Sequence, residues 1–550
     1  MSKAIPQAIA ALVLYAVIAA LVMVHGASLT HQLSGTGSDP YDSAWFLAWW
    51  PYALTHHLDP FFTRLIWYPS GVSLLWVTAV PLLSLLGWPI TAVWGPVVTY
   101  NLLIITSPVF CAWSAYFLCR HVTRNYGTGN FAAALIGGFI FGFSTYETSQ
   151  SIGALNLTIV LLVPLLLLVV LKRLDDELSR PQAVALAAVL LLAQFLICIE
   201  IFAMIFVFGG IAWALALLHL PARRPVLWRL AIDGLYTSPF VALPLAPLLV
   251  AMARHYTLIN HPAAWPYVFT ADLFSLFIPS SLNIFGTLFA GISKYFIDVP
   301  QEQDAYLGLP LILLLVLFAH AEGRQPRGRF LITSLLVCIV FSFGPRLWVD
   351  GHFTVLVLPW ALLMHLPLLG AALTGRFALF TALAAAIIAS FWLARPARRG
   401  WHFALALCAC IALLPKPHPW RSAAYSSFFA PGRVQAVLGS NPRLIVLPYS
   451  RHGATSLWQV QDQFGFTMVG GYLGFPPAPA QSYKAVMELF TGQYDPGFGA
   501  DFTLYAQQAG AQYVVAGPGT DANLLGRVAA LGWPARQVDD VTIFIVPAVP

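Results

Sequence analysis

Three aspartates stand close together after the first apolar run: Asp39 and Asp42 in the stretch GTGSDPYDSAWFLAWW, and Asp59 soon after it. In a chain with only 9% charged residues, such clustering invites a chemical reading. A carboxylate at the edge of an apolar environment can serve as a general base, taking a proton from an acceptor hydroxyl. The same residues also read as a helix start, with Ser38 or Asp39 as N-cap, Pro40 at the first helical position and an acid one turn in. The two readings coexist, because an N-cap site also fixes its side chain. The helix that follows carries Trp45, Trp49 and Trp50, with His56 and His57 near its end. It suits a membrane interface, where Trp is enriched. Adjacent histidines on a helix point to different sides, so His56 and His57 read as interface residues and not as metal ligands.

Other polar residues stand out against apolar surroundings. Glu200 lies between two apolar runs in QFLICIEIFA, where a tight hairpin would hold it at a membrane face. Glu302 and Asp304 precede AYLGLPLILLL, with Tyr306 in the same run, and serve either as helix caps or in binding. Asp272 in TADLFSLFIPS reads as an N-cap or a binding group. Arg376 in LTGRFALF is a lone cation at a helix start, placed to pair with a structural carboxylate or to clamp a phosphate. Arg254 and His255 in ARHYTLINH offer a similar, weaker arrangement.

The elements that must position these groups are membrane spans. The 550 residues are 59% hydrophobic, with a mean hydropathy of +0.76, whereas soluble chains run at ~45–50% apolar and ~25% charged. Apolar runs long enough to cross the bilayer recur up to about residue 414. A polytopic α-helical transmembrane domain is therefore expected over 1–415, its first outer loop covering 26–97 with amphipathic helices. The net charge of +6 does not point to nucleic acid, because the arginines cluster in short loops. These are Arg120 and Arg124; Lys172, Arg173 and Arg180; Arg223, Arg224 and Arg229; Arg324, Arg327 and Arg329; and Arg395, Arg398 and Arg399. The positive-inside rule makes all five loops cytoplasmic.

That assignment holds if Val72–Gly95 and Val355–Leu369, both broken by prolines, do not cross. Non-helical backbone at membrane depth must pack against protein. About eleven spans remain, at 5–25, 98–119, 131–149, 153–171, 181–199, 201–219, 227–250, 305–319, 330–345, 376–394 and 402–415. The N-terminus then lies in the cytoplasm and the C-terminus outside. The first run reads as an uncleaved signal anchor. The six cysteines imply neither a disulfide framework nor a metal site.

Residues 416–550 turn mixed and polar and are expected to form an extracytoplasmic α/β domain. RLIVLPY, QYVVAGP and VTIFIVPA read as strands; Ser482–Phe490, Phe502–Ala509 and Ala522–Leu531 read as helices. VVAGPGTD lacks both G-x-G-x-x-G and a P-loop lysine, so no nucleotide site is indicated.

In this topology Asp175, Asp176, Glu177, Asp233 and Glu322 are cytoplasmic. Asp39, Asp42, Asp59, Glu147, Glu200, Asp272, Asp298, Glu302, Asp304 and Asp350 face outward. Acids at the ends of apolar helices are costly and usually face a cavity or a partner, so the bias implies an outward-facing polar cavity.

One helix, a long outer loop opening with an acid, and runs such as DPYDSAWFLAWWPYALTHHLDPFFT, GFSTYETSQSIGALNLT, DAYLGLPL and WQVQDQFGFTMVGGY resemble the GT-C superfamily of membrane glycosyltransferases. The resemblance covers most of the chain. It implies transfer of a sugar from a polyprenyl-phosphate donor to an acceptor glycan, lipid or protein at the outer face of a bacterial cytoplasmic (inner) membrane, among membrane lipids. It further implies a catalytic carboxylate in the first outer loop, which falls on Asp39 with Asp42 as second choice. Glu200, Asp272, Glu302, Asp304, Tyr306, Arg254, His255 and Arg376 are the candidate substrate-binding groups, with Arg376 or Arg254 offsetting the phosphate's charge. Trp45, Trp49, Trp67 and Tyr68 would stack on sugars or anchor in lipid. No metal or other cofactor is expected. The alternatives are a lipid or glycan transporter or flippase, which internal repeats would favour and none is found, and a non-catalytic envelope assembly protein.

Overall fold

The computed structural model describes residues 4–254, 265–297, 300–366, 369–395, 400–474 and 476–548. The expected site residue His255 lies outside the described residues, as do Asp298, Arg398 and Arg399. The chain divides into two compact units, one of Met1–Ala27, Leu103–Ala246 and Pro262–Pro419, the other of Ser28–Leu102, Pro247–His261 and Trp420–Pro550.

Among the described residues, seven helices are long and apolar enough to cross a bilayer: Ala4–Val24, Pro96–Val122, Leu155–Leu174, Arg180–Ile197, Ile199–His219, Pro221–Arg254 and Thr374–Leu393. With the fold likeness reported below, they make this a polytopic helical membrane protein. The other expected spans fall on shorter helices, Asn130–Gly142, Leu309–Glu322, Pro326–Ser342 and Gly400–Ala412. The expected 131–149 run is not one helix. It stops at Gly142, and Ser144 starts a second helix, Thr145–Gln150, by accepting from the Glu147 amide at 3.3 Å.

In the first unit the helix Ala378–Leu393 is nearly all buried and packs against Asn130–Gly142. Alanines on one and glycines on the other bring the backbones close, the usual device where both helices are apolar. A Cβ on Gly137 would collide with Ser390 Oγ and Cys119 Sγ. The proline-broken segment Val355–Leu369 enters as the strand His352–Val357, paired antiparallel with Arg346–Val349, and continues as the single turn Trp360–Leu363. All six cysteines are free.

The second unit is built on a five-stranded sheet. Arg443–Leu447 runs parallel to Thr467–Met468 on one side and to Tyr513–Ala516 on the other; Val541–Ile545 and Ala535–Val538 add antiparallel beyond. The three strands read from sequence are present, as are helices Lys484–Thr491, Phe498–Gln508 and Ala522–Ala529. The two-residue strand Thr467–Met468 and the helix Thr455–Gln461 were not legible.

The first loop and the tail share one core here. Gln32–Ser34 pairs with Trp420–Ser422, and the Tyr68 amide donates to the Met468 carbonyl while the Met468 amide donates to that of Leu65. Val72–Gly95 resolves into a two-residue strand on Phe62–Thr63 and the helix Pro81–Trp94. The helix Asp39–Thr55 corrects an expectation. Its tryptophans face neither lipid nor sugar: Trp45 and Trp49 are fully buried and stacked at 5.2 Å. Trp45 donates to Gln459 at 2.8 Å, Trp49 to the Pro60 carbonyl and Trp50 to that of Ala79. Trp67 is buried as well. Indole N–H groups need partners once buried, and the tail and loop supply them.

Candidate active site

Asp39 and Asp42 open the Asp39–Thr55 helix, both in its first turn, where the helix dipole favours negative charge. Ser38 stands at the N-cap and makes no side-chain cap hydrogen bond. The two carboxylates meet different surroundings: Asp39 is exposed and Asp42 is buried. Ser456 donates to Asp42 Oδ1 at 3.0 Å. Burial, and secondly the charge of Asp39, hold the Asp42 carboxyl well above its usual range, against the pull of the Ser456 bond. Two carboxylates whose surroundings drive them apart divide acid and base roles. Burial favours the neutral form of Asp42, and Asp39 is the exposed carboxyl of the pair.

Sequence reasoning missed the tail residues around this pair. Tyr472 hydrogen-bonds Ser38, and burial followed by the charges of Asp39 and Asp42 raises its phenol. Arg451 sits within electrostatic reach of Tyr472, with its Nε on the Phe490 carbonyl at 3.1 Å and its guanidinium over the Phe490 ring. Gln459 and Tyr472 lie in WQVQDQFGFTMVGGY, so the motif was visible although its place in space was not.

A second polar cluster lies in the other unit. Arg376 reaches Glu302 through Nη2 at 2.6 Å and Nε at 3.1 Å, and Glu200 through Nη1 at 2.6 Å. Gln150 donates to Glu302 at 3.2 Å and to Asp304 at 2.7 Å. The structure thus unites four of the candidate residues, Glu200, Glu302, Asp304 and Arg376. All three guanidinium nitrogens already have carboxylate partners, so a phosphate would have to displace one. A cavity of about 10 Å³, room for one water, borders Asp304 and Tyr306. Tyr306 is buried, its carbonyl accepting from Thr145 at 3.0 Å.

Asp272 is a loop clamp. Its oxygens accept from the amides of Phe274 at 2.8 Å, Asp350 at 3.1 Å and Gly351 at 2.8 Å, which leaves little of it for substrate. Arg254 is exposed at the end of its helix. Among the described residues, one carboxylate trio is close enough to hold a metal, Glu488, Asp495 and Asp501, with oxygens within 4.8 Å of one another. The Lys484 ammonium already lies among them, 3.2 Å from Asp501 and 3.8 Å from Glu488, and bonded to Asp495.

Solved structures resemble the fold. The mycobacterial arabinofuranosyltransferase AftD aligns over 98% of this chain at 15% identity, with a TM-score of 0.57, and its R1389S mutant over 98% at 15% with 0.59. The chain spans about 40% of the AftD length. The Archaeoglobus fulgidus oligosaccharyltransferase tethered with an acceptor peptide aligns over 92% of this chain and 68% of its own at 13% identity, with a TM-score of 0.48. The chain shares the fold of the aligned part of AftD. The chain belongs to the family described as Domain of unknown function (DUF6311), whose model matches residues 8–414. No curated protein sequence matches it significantly.

Proposed function

We propose that this protein is a membrane glycosyltransferase that moves a sugar from a polyprenyl-phosphate donor to an acceptor glycan, lipid or protein. The reading places the reaction at the outer face of the cytoplasmic membrane, with about eleven spans, the N-terminus inside, and an α/β segment after residue 415 outside. The observation that carries it is the split pair on one helical turn: an exposed Asp39 beside a buried Asp42 held by Ser456.

In this mechanism the Asp39 carboxylate takes the proton of an acceptor hydroxyl as its oxygen attacks the anomeric carbon. The bond from that carbon to the phosphate oxygen breaks, and the polyprenyl phosphate leaves with the electron pair. Burial favours the neutral form of Asp42, which adds no second charge to repel the leaving phosphate. Cationic side chains suffice to offset that charge, so no resident metal is invoked.

The test is a transfer assay in membranes with a panel of radiolabelled polyprenyl-phosphate sugars, comparing wild type with Asp39→Asn and Asp42→Asn. Transfer abolished by Asp39→Asn at unchanged expression supports the reading. Loss with Asp42→Asn alone moves the base by one helical turn. Absence of transfer from every donor overturns it in favour of lipid translocation.

A further inference from the structure

We propose that Arg421 and Tyr100 form a binding site for a phosphate group beside Asp39. Only the choice of phosphate-bearing molecule rests on the glycosyl-transfer reading. Arg421 belongs to the strand Trp420–Ser422, and its guanidinium lies over the Tyr41 ring, 4.2 Å from the centroid. Stacking fixes the guanidinium plane and leaves its edges for hydrogen bonds. Nε and Nη2, which share one edge, are both buried and without a hydrogen-bond partner. Among the described residues Arg421 makes no ion pair. The hydroxyl of Tyr100 is also buried and unpartnered, on a side chain with 0% exposure. Tyr100 feels both the Asp39 carboxylate and the Arg421 guanidinium, so the three share one locality.

Buried polar groups nearly always have partners, so unmet donors of this kind point to a missing acceptor. The Nε–Nη2 edge offers two parallel N–H bonds, the fork that carboxylates and phosphates accept. The phenol adds a third donor. A carboxylate satisfies the fork alone, whereas a phosphate has further oxygens for the phenol. On the donor lipid, charge gathers on the phosphate as its bond to the sugar breaks, and these three donors would meet it. The same chemistry would hold a free phosphate or one carried by the acceptor.

The experiment measures binding to the full-length protein in nanodiscs, using farnesyl phosphate, farnesol and inorganic phosphate as probes. Wild type is expected to bind farnesyl phosphate roughly tenfold or more tightly than farnesol, the scale of hydrogen bonds to a charged group. Arg421→Gln and Tyr100→Phe should each erode that preference while farnesol binding holds, whereas Asp39→Asn, which removes a neighbouring negative charge, should not weaken it. Wild-type affinity for farnesyl phosphate and for inorganic phosphate in both variants would overturn the site. Tyr100→Phe removes one oxygen and Arg421→Lys keeps the charge without the fork, so the test survives a folding defect in Arg421→Gln. Arg421-dependent binding of inorganic phosphate without that of farnesyl phosphate keeps the site and assigns it to a free or acceptor-borne phosphate. Arg421-dependent binding of farnesyl phosphate, with no transfer from any sugar donor, keeps the site and sinks the transfer reading instead.

Discussion

Ser456 donates its hydroxyl to Oδ1 of Asp42 at 3.0 Å, joining positions 414 residues apart in the chain. The bond brings a residue from the far end of the sequence against the first turn of the Asp39–Thr55 helix. Among the described residues it is the side-chain bond that favours the charged form of Asp42, and burial outweighs it. The folded carboxyl is therefore raised above its unfolded value. A raised acid contributes stability that is fully present below the unfolded value, near 3.8, and is lost as pH rises through the folded one. Asp42→Asn is expected to flatten this fall and to be more stable than wild type at the alkaline end. Thermal unfolding of both proteins across a pH series checks it, and parallel curves would refute the assignment.

Asp39 and Asp42 should also separate in kinetics. A general base contributes roughly 10²–10⁴-fold to rate, so Asp39→Asn is expected to lower kcat by that order with little change in KM. Ser456→Ala leaves Asp39 in place and should cost far less. Steady-state transfer kinetics decide this, and a Ser456→Ala loss equal to that of Asp39→Asn would remove the distinction between base and support.

Asp462 predicts a second pH effect. Its side chain accepts from Gln435 Nε2 at 2.8 Å, yet burial pushes the carboxyl up to about 6 from 3.8. Its contribution to stability is complete below about 4 and declines as pH rises through about 6. Asp462→Asn should lose this decline without losing the fold. The check is the pH dependence of unfolding between 4 and 7 in wild type and variant.

What could be read from sequence followed the strength of local signals. Apolar runs such as Ile199–His219 announce themselves by length, and Tyr513–Ala516 by its β-branched residues. The run 131–149 misled because hydropathy does not register Ser144, a cap that starts a new helix after Gly142. The tryptophans of Asp39–Thr55 misled for a different reason. Trp fits a membrane interface and a protein core equally well, and the choice depended on Gln459, more than 400 residues away. Asp39 and Asp42 were visible as an isolated acid pair in an apolar chain. Tyr472, Arg421 and Tyr100 were not, because nothing near them in sequence says which distant groups they face.

Arg376 gives the last prediction. Its guanidinium satisfies Glu302 by two nitrogens and Glu200 by a third, with side-chain exposures of 14% for both Arg376 and Glu302 and 27% for Glu200. Removing one partner of a buried ion pair leaves an uncompensated charge and costs roughly 3–5 kcal/mol. Arg376→Gln is therefore expected to lower the unfolding midpoint in detergent sharply. Adding Glu302→Gln should recover part of the loss, because neighbouring members of one network are not additive. A phosphate clamp would behave differently, with donor affinity falling while the midpoint held. Measuring both quantities on Arg376→Gln and on the double variant separates the roles. A stable Arg376→Gln protein with weakened donor binding would return this residue to the substrate site; an unstable one partly rescued by Glu302→Gln makes it the brace of that cluster.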